Sequence, residues 1–110
     1  MIRVVPEIEA AALVSVDGLM IASVLPSEIS EDRIAAMSAA ILSVAEHITR
    51  ELKRGKFEMS IIRGEHGYIV VTDAGPDAVL VAIAGKEAKL GLIFHVVRST
   101  AKSVAGLLGR

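Results

Sequence analysis

Seven segments stand out when the chain is read for its apolar and polar positions. The stretches "AAALVSV" and "LMIASV" are apolar almost throughout, and Asp17-Gly18 between them supplies the positive φ that a tight hairpin turn requires. They predict β1 (Ala10–Val16) and β2 (Leu19–Val24). Pro26 ends β2, and Ser30, followed by Glu31 and Asp32, offers a helix cap with negative charge at the positive end of the helix. The helix α1 that starts there carries Ile34, Met37, Ile41, Val44, Ile48 and Leu52 three or four residues apart, a stripe expected to face the core. Arg50, Lys53 and Arg54 suit its C-terminal end, and Gly55 is expected to stop it.

Three further apolar segments follow, "KFEMSIIR", "GYIVVT" and "AVLVAIA", separated by "GEHG" and "DAGPD". They predict a meander of β3 (56–63), β4 (67–72) and β5 (78–84). In β3 the alternation places Phe57, Met59 and Ile61 on one side, with Lys56, Glu58 and Ser60 on the other. The segments β4 and β5 are apolar on both faces, so they belong at the centre of a sheet covered twice, with β3 at an edge. A last helix, α2 (90–108), has Leu90, Ile93, Val97, Ala101, Val104 and Leu108 as its stripe. Pairing β1 with β5 gives the strand order β2-β1-β5-β4-β3. The expected fold is therefore an α/β (α+β) three-layer sandwich of topology ββαβββα, a five-stranded antiparallel sheet with one helix on each face.

Composition sharpens this picture. Hydrophobic residues make up 53% of the 110 and aromatic residues only 3%, so the core must be built from alanine, valine, isoleucine and leucine. The same scarcity removes the stacking platform that single-stranded nucleic acid needs. Twelve basic residues against 13 acidic ones, a net charge of -1, leave no electrostatic footprint for nucleic acid or for an anionic membrane. The length fits one domain, 1–110, and no apolar run is long enough to span a bilayer. "MIRVVPEIEA" reaches Pro6, Glu7 and Glu9 before any long apolar run, which does not read as a signal peptide, so a cytoplasmic location is expected.

The segment "RIAAMSAAILSVAEH" carries no charge between Arg33 and Glu46. With the large stripe turned inward, the other side of α1, comprising Ala35, Ala36, Ser38, Ala39, Ala40, Leu42 and Ser43, lacks the polar character that a water-facing helix shows. A second copy of the chain is the simplest cover, the two helices packing together while β3, an edge without proline, pairs with its symmetry mate.

Two long stretches carry a family resemblance. "AAALVSVDGLMIASVLPSEISEDRIAAMSAAILSVAEHITREL" resembles the first half of the Roadblock domain, the dynein light-chain group, in its short bacterial and archaeal form. "GYIVVTDAGPDAVLVAIAGKEAKLGLIFHVVRSTAKSVAGLL" resembles the second half. The likeness spans Glu9 to Leu108. It rests on Val16-Asp17-Gly18 before Leu19, on Ala22-Ser23 and the loop after it, on the small-residue helix, and on Leu90-Gly91-Leu92 opening the last helix. The resemblance implies a homodimer with one sheet continuous through both copies. It also implies a platform for a small Ras-like GTPase, in the manner of regulators of the MglB kind. On this chain the implied dimer and partner interface comprises Ala36, Ala39, Ala40, Ser43 and His47 on α1, with Phe57, Met59 and Ile61 on β3. The family's typical helix before β1 has no counterpart of several turns in Met1 to Ile8, so that helix is expected to be missing or its place filled by a partner chain.

Motifs for chemistry are weak. Gly85-Lys86 lacks the first glycine of a phosphate-binding loop at the required spacing, and Glu87 stands where a magnesium-binding hydroxyl is needed. His47, His66 and His95 fall on a helix, a turn and another helix without metal-ligand spacing, and the chain has no cysteine. No cofactor, metal or catalytic residue is expected. Two functions fit the pattern: a dimeric, non-enzymatic adaptor or regulator of a small GTPase, or a small ligand-sensing or scaffold module whose cavity is lined by β4 and β5.

Overall fold

Asp17-Gly18 closes the first hairpin. Gly18 has φ +88°, its N–H donates to the Ser15 carbonyl, and the Leu19 N–H donates to Ser15 Oγ at 3.0 Å. The computed structural model describes residues 8–107, and every expected element is among them. Their observed bounds are β1 Ile8–Ser15, β2 Met20–Val24, α1 Glu31–Glu51, β3 Ser60–Gly64, β4 Gly67–Asp73, β5 Ala78–Gly85 and α2 Leu90–Leu107. The sheet runs β2-β1-β5-β4-β3, and every pairing is antiparallel. This is the expected α/β architecture and strand order. Leu108 and residues 1–7, including the place of a helix before β1, lie outside the described residues.

Because strand side chains alternate between faces, the sheet feeds two cores. On one face Leu13, Val70, Leu80 and Ala82 pack with Ile93, Val97, Ala101 and Val104 of α2. On the other, Ala12, Val14, Val71, Val79 and Val81 pack with Ala35, Leu42 and Phe57. The expectation that β4 and β5 are covered twice holds, for Val70, Val71 and Val79 are fully buried. Each buried aliphatic side chain contributes about 1.5–3 kcal/mol.

The helix α1 begins as its sequence dictates. Ser30 is the N-cap, its Oγ accepting from the Arg33 N–H, with Glu31 and Asp32 in the first turn. Ser23 Oγ on β2 donates to Glu31 Oε2 at 2.6 Å and ties that turn to the sheet. At the other end the helix closes before Gly55. Leu52 is the C-cap, and Lys53 takes the left-handed conformation at φ 57°.

Two expectations are corrected. The first concerns which side of α1 faces the sheet. Ala35, Ser38 and Leu42, expected on the outside, are the buried residues of the helix, whereas Met37, Val44, Ile48 and Leu52 of the supposed core stripe are 50–65% exposed. The valines of the sheet already supply the bulk on that face, so the slim side of the helix is the one that packs closely. The second concerns β3. Its ladder starts only at Ser60, so residues 56–59 form a connector whose side chains do not alternate as in a strand. Phe57 is buried in the α1-side core and Met59 packs against the α2-side core, while Ile61 is 44% exposed. The chain must return from the end of α1 to the sheet edge, and Phe57 plugs the space it crosses.

At the β3–β4 turn Gly67 opposes Gly85, and a Cβ on Gly67 would run into the Ala84 carbonyl oxygen. Gly67→Ala is therefore expected to destabilise the fold by at least about 1 kcal/mol in urea unfolding. Ser30→Ala, which removes the cap, is expected to cost about 1 kcal/mol by the same measurement.

Candidate functional site

The outer surface of α1 divides into two sectors, since successive helical residues are turned by about 100°. Ala36, Ala40, Ser43 and His47 share one sector, all exposed and, apart from His47, all small. His47 Nδ1 lies 2.7 Å from the Ser43 carbonyl oxygen, a geometry in which Nδ1–H donates and Nε2 stays open to solvent. Met37, Val44 and Ile48 make a second, bulkier sector beside it, continued by the C-cap Leu52. Ala39 belongs to neither. It is half-buried on the opposite flank, where with Ser43 and Glu46 it borders a groove of about 620 Å³ against Val16, Asp73 and Pro76.

The sheet extends the apolar surface. Ile62, Ile69 and Ile83 are cross-strand partners in β3, β4 and β5. They lie on the α1 face, because Ile69 stands two residues from Val71 of that core. Although they share the helix's face, Ile62 and Ile69 remain 38% exposed. Between α1 and the start of β3 a shallow groove of about 320 Å³ is bordered by Ala40, Ile41, Val44, Ala45 and Ser60. The outer side of β3 is an open strand edge.

Of the interface residues expected from the sequence, Ala36, Ala40, Ser43, His47 and Ile61 are at the surface, and Ala39 is at the margin of α1. Phe57 is 7% exposed, Met59 belongs to the other side of the sheet, and Ile61, the cross-strand partner of Val70 in the α2-side core, points to that side too, so these three are not brought together with the helix residues. Sequence reasoning missed Met37, Val44, Ile48, Leu52, Ile62 and Ile69 as surface residues. For the α1 residues the signal was present as a stripe of large apolar residues assigned to the core, and Ile62 and Ile69 lay in the apolar runs of β3 and β4. Among the described residues no group of three or more His, Asp or Glu side chains converges as a metal site would require. No helix there is long and apolar enough to cross a membrane.

A strand-strand-helix unit, a meander, a closing helix and a central helix with exposed apolar residues thus share one frame. The Roadblock/LC7 domain model matches residues 2–84. The chain belongs to the Roadblock/LC7 domain family. An uncharacterised protein of Methanocaldococcus jannaschii is 33% identical over 100 residues, which cover 91% of this chain and 87% of that one. The Roadblock/LC7 domain of Streptomyces avermitilis superposes with a TM-score of 0.86 at 24% identity, covering 96% of this chain and 88% of its own. Myxococcus xanthus MglB superposes with a TM-score of 0.85 at 19% identity, covering 92% and 83%.

In this Roadblock chain the two sides of α1 should respond oppositely to truncation. Leu42→Ala is expected to cost about 2–5 kcal/mol. Val44→Ala should cost well under about 1 kcal/mol when unfolding is followed at concentrations where single copies prevail.

Proposed function

We propose that two copies of this chain pair through α1 and β3, and that the pair binds a small Ras-like GTPase in the cytoplasm as an adaptor or regulator, with no chemistry of its own. The observation that carries the reading is the exposure of Met37, Val44, Ile48 and Leu52 on α1 and of Ile62 and Ile69 on the same face of the sheet, beside an open strand edge. A single copy gains nothing from holding so many large side chains in water, and contiguous patches of this kind mark interfaces. Membership of the Roadblock family and the likeness to MglB support the same reading.

The position of α1 supports one arrangement of the pair. One flank of the helix borders the sheet end that carries Val16, Asp73 and Pro76, while Ile62 and Ile69 stay uncovered. A copy related by a two-fold axis beside β3 brings its own α1 antiparallel to the first, over those isoleucines. Ile48 and Leu52 then meet the partner's sheet and helix, and the two β3 edges complete each other's ladder. The sector of Ala36, Ala40, Ser43 and His47 remains outward on both helices and forms a flat, small-residue platform for the GTPase. Regulation requires that the platform bind one nucleotide state or the hydrolytic geometry better than the alternative, because only differential affinity shifts an equilibrium.

The sensing alternative has less behind it between the sheet and α2. Ala11, Leu80, Ala82, Val96 and Val97 border an apolar cleft of about 10 Å³, barely the space of one water.

Light scattering and capture test the two halves separately. Val44→Glu with Ile48→Glu is expected to halve the solution mass, and an unchanged mass would reject the pairing surface. Ala40→Arg is expected to keep the mass but lose the GTPase captured from extract in the presence of a nonhydrolysable GTP analogue or GDP. Capture of no GTPase by the wild-type chain in either nucleotide would reject the regulator role.

A further inference from the structure

The other side of the molecule carries a groove of a different character. It runs between the second half of α2 and the connector 56–58, encloses about 410 Å³, and is floored by Ala101, Ala105 and Gly75. The small floor gives it depth, since a Cβ on Gly75 would stand 3.3 Å from Ala105 Cβ. Three cations line it, Lys56, Arg98 and Lys102, against two carboxylates, Glu58 and Asp73. Lys56, Arg98 and Lys102 are all exposed. Arg98 Nη2 stands 3.7 Å from Glu58 Oε1, beyond hydrogen-bonding distance and with both side chains largely in water, so the guanidinium keeps donors to spare. Lys56 and Lys102 make no ion pair among the described residues.

The wall of the groove is fixed before anything binds. Phe57 is anchored in the core on the far side of the sheet, and Thr72 Oγ1 donates to the Glu58 carbonyl at 2.8 Å, which pins the connector. A pre-formed groove loses little entropy on binding.

We propose that this groove docks an acidic segment of a partner polypeptide. Carboxylates of the segment accept from Lys56, Arg98 and Lys102, while small apolar side chains lie on Ala101 and Ala105. Spaced carboxylates suit it better than a continuous polyanion, because Glu58 and Asp73 interrupt the positive wall and the chain as a whole carries a net charge of -1. The one aromatic ring at the groove, Phe57, is buried and offers no face for a base to stack on. The site opens on the α2 side of the sheet, and of its three cations only Lys56 also borders the groove beside α1.

The test uses the full-length, 15N-labelled chain and a fluorescein-labelled peptide of alternating glutamate and alanine, with a lysine-alanine peptide and oligothymidylate as comparisons. The acidic peptide is expected to shift amide signals at 56–58, at Gly75 and along 98–105, and to bind more weakly as salt rises. Lys56→Glu with Lys102→Glu should weaken it at least about ten-fold, whereas Lys56→Arg with Lys102→Arg should keep it within about three-fold. Both lysines are exposed, so neither pair of changes threatens the fold. Shifts confined to other residues, equal binding by the charge-reversed chain, or tighter binding of oligothymidylate to the same residues would overturn the proposal.

Discussion

The close seat of α1 on a valine-lined sheet governs the surface of this protein. Val14, Val71, Val79 and Val81 fill the space beneath the helix, and Ala35 and Ser38 are small enough to let it approach them, with Leu42 as its one buried large side chain. With few aromatic residues in the chain, the core on this face holds no large ring except Phe57 at its margin. Interiors pack to a fixed density, so bulk on one layer demands slimness on the other. Met37, Val44 and Ile48 are consequently left on its flank, whereas Leu42 and Ile41 pack against the core, and that exposure is a result of good internal packing rather than a defect of it.

The two faces of the sheet are used differently. On the α1 side, large apolar residues of the helix and Ile62 and Ile69 of the sheet are exposed on one face, beside an open strand edge. On the α2 side Ile93, Val97, Ala101 and Val104 of the helix stripe are buried, and beside them lies a charged groove. The connector between α1 and β3 serves both sides. It sends Phe57 into the α1-side core, holds Glu58 to Thr72, and places Lys56 at the border of both large grooves.

Much of the candidate interface was legible before the structure. The charge-free run from Ile34 to Ala45 marked α1 as a helix with more apolar surface than one core can use, and the absence of proline from β3 marked an edge able to pair. The faces of α1 were not legible. A helical wheel shows two apolar sides, one large and one small, and hydrophobicity favours burying the larger. What reverses that preference is the shape of the facing sheet, which no window along the chain reports. Phe57 and Met59 were misplaced for a related reason: an alternating pattern in residues that form no ladder says nothing about direction.

By itself the sequence determined the elements, their order and the strand pairing, because those depend on local signals. These are the Asp17-Gly18 turn, the Ser30 cap and the two-sided apolar runs of β4 and β5. It also determined the family, through the register of those signals along the chain. The tertiary structure alone decided which side of α1 is exposed, where the connector sends its side chains, and that Lys56, Arg98 and Lys102 share one groove. Each of these depends on volumes and distances between segments remote in sequence, and close packing fixes them only when the layers come together.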